Sequence, residues 1–239
     1  MKPLALFDLD GTLVDTPLAI GQTFAATFAE LGLPRVEAAD IRATIGMPLG
    51  NAFGRLMGLS PEDAGVVEAV LRYQALSKEI LLPQARGLVL PGVVDGLARL
   101  ASRGIVLAVA TSKVQASAEA LLEAAGLAGF FASVVGADRV PRPKPYPDSG
   151  LLAMDLAGAA PETTVMVGDT THDLLMAHAA GMRSVAVTYG VHARDVLATA
   201  VPSFIVDGFP EAAEIIESAL DAGYARDLAS DSLDPAMGR

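Results

Sequence analysis

From Pro91-Gly92 onward the chain alternates stretches of helical spacing with short apolar runs, and this alternation restricts the possible folds more than any other feature. Helical spacing covers 93–102, 114–125, 148–157 and 173–180; strand-like runs follow at 105–110, 133–136, 165–167 and 184–188, and 203–220 adds a last strand-and-helix unit. Strands separated by helices pair in parallel, because each return crosses over the sheet and lays a helix on one of its faces. Gly104 and Gly181 stand just past two of the helical stretches, where a left-handed residue closes the last turn.

The opening run Leu4-Ala5-Leu6-Phe7 ends in Asp8 and the turn signal Asp10-Gly11-Thr12, so it reads as a strand of the same sheet. Between it and the alternating region, helical spacing dominates at 18–31, 52–57 and 61–81, and strand signals are weak. Pro61-Glu62-Asp63 reads as a helix start, and Thr16-Pro17 and Leu82-Pro83 as hinges. The expected architecture is therefore α/β: a Rossmann-like parallel sheet with helices on both faces, formed by 1–16 and 84–222, with an all-helical cap, 17–83, inserted after the first strand. Residues 223–239 mix Gly, Ser, Asp and Pro without periodicity and read as a flexible tail.

Composition narrows the function. Hydrophobic residues make up 52% of the 239 residues, enough for a large core. The apolar runs fall far short of the roughly 20 residues that span a bilayer. Asp8 and Asp10 interrupt the first of them, which reads against a leader and for a cytoplasmic protein without a membrane partner. The absence of cysteine excludes disulfides, thiolate nucleophiles and cysteine-based zinc sites. A net charge of −11 argues against nucleic acid as a partner. The same charge repels anionic substrates, so a phosphate site needs local positive charge, and only Lys2, Lys78, Lys113 and Lys144 carry an ammonium group.

In an open parallel sheet, ligands bind beyond the carboxyl ends of the strands. Those ends carry Asp8-Leu9-Asp10-Gly11-Thr12, Thr111-Ser112-Lys113, the proline-rich Arg142-Pro143-Lys144-Pro145, and Gly168-Asp169-Thr170-Thr171-His172-Asp173. Of two carboxylates at i and i+2, one can attack phosphorus, and the other can protonate the leaving oxygen and then deprotonate water. Two acids beside an incoming phosphate require a hard cation, and Asp8 with Asp169 can supply oxygen ligands to Mg²⁺. Thr111 offers a hydroxyl and an N–H at a strand-to-helix turn, and Lys144 offers a point charge for the transferring group. Thr111, Ser112 and Lys144 are the expected substrate-binding residues.

Asp8-Leu9-Asp10-Gly11-Thr12-Leu13, Thr111, Lys144, and Gly168-Asp169 with Asp173 resemble, in order, the four motifs of the haloacid dehalogenase-type hydrolase superfamily. The resemblance implies Asp8 as nucleophile, Asp10 as acid/base, and Mg²⁺ held by Asp8, the Asp10 backbone carbonyl and Asp169. It also implies that Asp173 bonds to Lys144 or to a metal-bound water. Dehalogenase members lack an acid at the Asp10 position, since halide needs no proton to leave. The stretches 167–174, 180–187 and Gly46-Met47-Pro48-Leu49 are most similar to the phosphoglycolate phosphatase-like branch, which implies a phosphatase for small organic monoesters with 2-phosphoglycolate as the leading substrate. The alternatives are a phosphosugar mutase, a pyrophosphatase or nucleotidase of the same superfamily, and, from a different class, a signalling phosphoacceptor domain. Oligomeric state is open between monomer and homodimer.

Other polar residues near these motifs are expected to be bystanders. Lys113, Arg42 and Arg55 read as solvated and His192 as a surface residue; His172 is given no catalytic role, because Asp10 already fills it. Arg142 belongs either to the site or to its rim.

Overall fold

The structure, a computed structural model, describes residues 1–231. Six parallel strands form one sheet in the order β3-β2-β1-β4-β5-β6: β1 (Leu4–Phe7), β2 (Val106–Ala110), β3 (Ser133–Val135), β4 (Thr164–Gly168), β5 (Arg183–Val187) and β6 (Phe204–Val206). The central strand β1 pairs on both sides, with Phe7 opposite Val109 of β2 and opposite Val167 of β4. The strand order runs outward in both directions from β1 and β4, which opens a crevice at their carboxyl ends.

Alternate residues of the strands serve two separate cores, as the period of two requires. Phe7, Val109, Val167 and Val185 face one cluster with helices α5 (Val93–Ser102), α6 (Gln115–Ala125) and α10 (Phe209–Asp231). Leu6, Ala108 and Met166 face the other, with α7 (Asp148–Ala157) and α8 (Thr171–Ala179). Phe7 is fully buried and lies against the rings of Phe131 and Phe209, at centroid distances of 6.3 and 5.8 Å. Truncating such a ring to alanine typically costs about 3–5 kcal/mol.

The insertion between β1 and α5 carries α1 (Pro17–Glu30), α2 (Ala38–Arg42), α3 (Leu49–Met57) and α4 (Ala64–Ile80), followed by a 3-10 turn over Leu82–Leu88. Phe24, Phe28, Phe53 and Tyr73 form its aromatic centre, with Phe24 4.6 Å from Phe53 and 4.8 Å from Tyr73. One residue from outside the insertion joins this cluster: Val191, in the loop between β5 and α9 (Arg194–Ala198).

The structure departs from the sequence reading at three places. Helix α4 starts at Ala64, not at Pro61, because the Asp63 carboxylate accepts the Gly65 N–H at 2.8 Å and caps the helix there. The short helices α2 and α9, one turn or slightly more, were below the length that periodicity detects. Helix α10 runs past 222 to Asp231, into the segment assigned to a tail; positions 232–239 of that segment lie outside the described residues. Among the described residues, no helix is long and apolar enough to cross a membrane.

Candidate active site

Asp8 follows β1 directly, and its N–H donates to the Val167 carbonyl at 2.9 Å, continuing the β1–β4 ladder. This bond aims a nearly buried carboxylate into the crevice. Lys144, from the proline-rich loop after β3, is buried behind it. Its Nζ lies 2.6 Å from Asp8 Oδ1 and 2.5 Å from Asp173 Oδ1. Asp173 sits in the first turn of α8, where its other oxygen accepts the Thr170 N–H at 3.0 Å and the Thr170 hydroxyl at 2.7 Å. One carboxylate thus caps a helix and holds the lysine that holds Asp8.

Asp169 ends β4 and is fully buried. Its Oδ1 accepts the Thr12 hydroxyl at 2.9 Å, and its Oδ2 accepts the Val191 N–H at 2.7 Å. Two glycines make room for it. A Cβ at Gly11, where φ is +85°, would stand 2.3 Å from Asp169 Oδ2, and a Cβ at Gly190 would stand 2.2 Å from the same atom. Neither position tolerates a side chain while Asp169 keeps this rotamer.

The electrostatics follow from burial. Desolvation pushes Asp8 well above the usual carboxylate range; Lys144 opposes this, and the charges of Asp173 and Asp169 add to it. Burial, then the Asp173 charge, lifts Asp169 to about 7 against the hydrogen bonds from Val191 and Thr12. Burial by itself would lower Lys144, but Asp173 and Asp8 outweigh it and hold the ammonium above its ordinary range. Asp8, Asp169 and Asp173 each offer an oxygen within 4.8 Å of the others. Three acids around one ammonium leave a buried excess of negative charge, and an all-oxygen donor set suits a hard divalent cation. The cluster therefore fits a metal.

Asp10 lies apart from this cluster, on the side facing the insertion. Its Oδ1 accepts the Thr16 hydroxyl at 2.7 Å and its Oδ2 pairs with Lys113 Nζ at 3.0 Å. Lys113 is therefore not solvated: its side chain is only 13% exposed and is held by Asp10. The Thr111 N–H is committed to the Val135 carbonyl at 3.0 Å, and its Oγ1 accepts the Lys113 N–H at 3.2 Å, which leaves its hydroxyl proton free to point elsewhere. Ser112 donates its hydroxyl to the Gly46 carbonyl at 2.6 Å, tying core to cap. Asp8, Asp10, Thr111, Ser112 and Lys113 line one cavity of about 80 Å³ closed by the insertion, with Lys144, Asp169 and Asp173 beneath it.

Several bystanders have specific partners. Arg42 is exposed, and it donates to the carbonyls of Gly190 at 3.1 Å and Val191 at 2.9 Å, so it is committed to the backbone of that loop. His192 is half-buried, not a surface residue: its Nδ1 accepts the Thr171 N–H at 3.1 Å at the start of α8, and burial keeps it below the ordinary histidine range, in the form able to accept. His172 has a buried Nδ1 without a protein partner, 3.3 Å from where a Gly46 side chain would begin. Arg142 pairs with Asp148 at 3.0 Å and lies over the Tyr146 ring, 58% exposed, and does not line the cavity. The scarcity of lysine was the one sequence signal that could have promoted Lys113.

Fold and site together define a capped α/β phosphatase with a buried acidic cluster able to hold a metal. Residues 5–187 match the haloacid dehalogenase-like hydrolases, and the chain belongs to that family. It is 58% identical over 211 residues to the Dickeya dadantii protein named probable phosphatase IndB, covering 88% of this chain and 92% of that one. It is 31% identical to phosphoglycolate phosphatase 1 of Pseudomonas aeruginosa, over 99% of this chain and 86% of that one. A haloacid dehalogenase-like hydrolase of Streptococcus pneumoniae superposes with a TM-score of 0.75 at 30% identity, over 88% of this chain and 96% of that one.

Proposed function

We propose that the protein is a Mg²⁺-dependent phosphomonoesterase that works through an aspartyl phosphate on Asp8. The observation that carries this reading is the division between the two acids. Asp8 belongs to the buried Lys144–Asp173 cluster, whereas Asp10 reaches the same cavity with its own partners, Thr16 and Lys113.

In the first half-reaction an Asp8 oxygen attacks phosphorus, the bond from phosphorus to the ester oxygen breaks, and Asp10 delivers its proton to the departing alkoxide. In the second, Asp10 takes a proton from water, the water oxygen attacks phosphorus, and the bond to Asp8 breaks to release inorganic phosphate. Lys144 balances charge at Asp8 and on the transferring group; the Thr111 hydroxyl and the Ser112 backbone orient the phosphoryl oxygens. Asp8, the Asp10 backbone carbonyl and Asp169 would hold Mg²⁺, with Asp173 supporting them through Lys144. When bound, the ion supplies charge neutralisation for the phosphoryl group. The cap excludes bulk water and contacts the leaving group.

2-Phosphoglycolate is the ester that the motif resemblance puts first, and the name of the 31%-identical relative supports it. It is the reference substrate for any test of specificity. Phosphate release with Mg²⁺ from a panel of small monoesters, by wild type and Asp8→Asn, tests the reaction: Asp8→Asn loses about three orders of magnitude or more in kcat while remaining folded. Retained turnover would overturn the nucleophile assignment.

A further inference from the structure

The cavity wall opposite Asp8 and Asp10 comes from the cap and carries no charge. Helix α4 presents Tyr73, Gln74 and Ser77 to it, and α1 presents Ile20 and Phe24. On α4 the three polar residues occupy positions i, i+1 and i+4, one turn apart on one side, so they form a short neutral stripe. The Gln74 amide and the Ser77 hydroxyl have no hydrogen-bond partner among the described residues. Tyr73 is close enough to Asp10 for its charge to act on the phenol, and burial first, then that charge, keeps the phenol protonated as a donor.

The cation that lines this cavity and two arginines of the cap are engaged elsewhere. Among the described residues Lys113 is the only cationic one lining this cavity, and it is spent on Asp10. Arg42 serves the Gly190 and Val191 carbonyls, and Arg72 pairs with Glu30 on the far side of α4. A carboxylate or second phosphate on the substrate would be enclosed against apolar side chains and beside the Asp10 carboxylate, and a charge buried without a partner is strongly disfavoured.

We infer that the cap wall selects monoesters whose leaving group is small and uncharged, with an apolar body and hydroxyl or carbonyl groups for Tyr73, Gln74 and Ser77. This rests on the phosphomonoesterase reading and replaces 2-phosphoglycolate as the preferred ester. It makes Gln74 and Ser77 specificity-determining residues, and the repulsive element is the unpaired charge of the rejected substrate.

A matched set of esters tests this. 2-Hydroxyethyl phosphate and 2-phosphoglycolate are nearly isosteric and differ in one group, a neutral hydroxymethyl against a carboxylate; acetyl phosphate serves as an activated control. With Mg²⁺ at neutral pH, wild type is expected to favour 2-hydroxyethyl phosphate over 2-phosphoglycolate by about tenfold or more in kcat/KM. Gln74→Arg, which adds a cation to the wall, is expected to shift that ratio toward 2-phosphoglycolate by about tenfold. A wild-type preference for 2-phosphoglycolate overturns the specificity inference and leaves the phosphatase reading standing. Absence of phosphate release from every ester, acetyl phosphate included, overturns the phosphatase reading and the inference with it.

Discussion

The Val191 N–H donates to Asp169 Oδ2 at 2.7 Å, while the Val191 side chain is buried in the apolar cluster of the cap. A single residue of the β5–α9 loop therefore contacts both the acidic cluster and the inserted helices. Arg42, at the end of α2, tightens the link by donating to the carbonyls on either side of that loop position. Cap seating and the orientation of Asp169 share this backbone segment.

Replacing Arg42 with alanine should loosen the segment without touching any group that contacts substrate. The expected result is a Mg²⁺ half-saturation about three- to tenfold higher, with thermal stability reduced by only about 1 kcal/mol, since the guanidinium is exposed. Mg²⁺ titration of phosphate release, paired with thermal unfolding, checks it. An unchanged Mg²⁺ requirement would show that the loop holds Asp169 without help from the cap.

Gly190→Ala tests the space around Asp169 directly. The added methyl would meet Asp169 Oδ2 at 2.2 Å, so the carboxylate must turn away from the Val191 N–H. Activity should fall by about a hundredfold or more while the fold persists, as expected when a ligand loses its orientation. Far-ultraviolet circular dichroism and phosphate release, measured on the same preparation, separate the two effects.

The gathering of the buried cluster was legible in the sequence because strand ends bring their terminal residues to one edge whatever the loop details. Asp8, Lys144, Asp169 and Asp173 could be picked out this way. The partners of Asp10 were not legible: Lys113 belongs to the loop after β2, and its approach to Asp10 depends on β1 and β2 being neighbours in the sheet. The roles of Arg42 and Val191 were hidden for the same reason, since 149 residues separate Arg42 from Val191 and no local pattern marks a backbone carbonyl as an acceptor. Ser112 could be placed at the cavity from its strand end, but its bond to Gly46 depends on how the cap sits.

Lys144→Met leaves Asp8 and Asp173 buried around a missing cation. Breaking a buried ion pair from one side costs about 3–5 kcal/mol at neutral pH. Protonation relieves the carboxylates, so the deficit relative to wild type should shrink as pH falls. Denaturant unfolding at pH 5 and pH 8 measures both terms, and an equal deficit at both values would contradict the charge argument.

Asp169 is lifted to about 7 by burial and Asp173, and Asp8 is also raised, so both release their protons later in the folded chain than in the unfolded one. Their contribution to stability is therefore fully present below the ordinary carboxylate range. It is lost as pH rises, in the case of Asp169 through about 7. Without divalent metal, the melting temperature should fall between pH 5 and pH 8. Mg²⁺ binds the deprotonated cluster, so the stabilisation it gives should grow over the same interval. Melting curves with EDTA and with Mg²⁺ across that range test the sign; a metal-free protein that gains stability toward pH 8 would contradict it.

The most direct test of the central claim is to trap phosphate on Asp8. In Asp10→Asn, acetyl phosphate with Mg²⁺ should still phosphorylate Asp8, because acetate leaves without needing a proton, while the missing base slows attack by water. Acid quench and peptide mapping by mass spectrometry should then find one phosphoryl group on the peptide that contains Asp8. An unmodified peptide, or phosphate on another residue, would contradict the account.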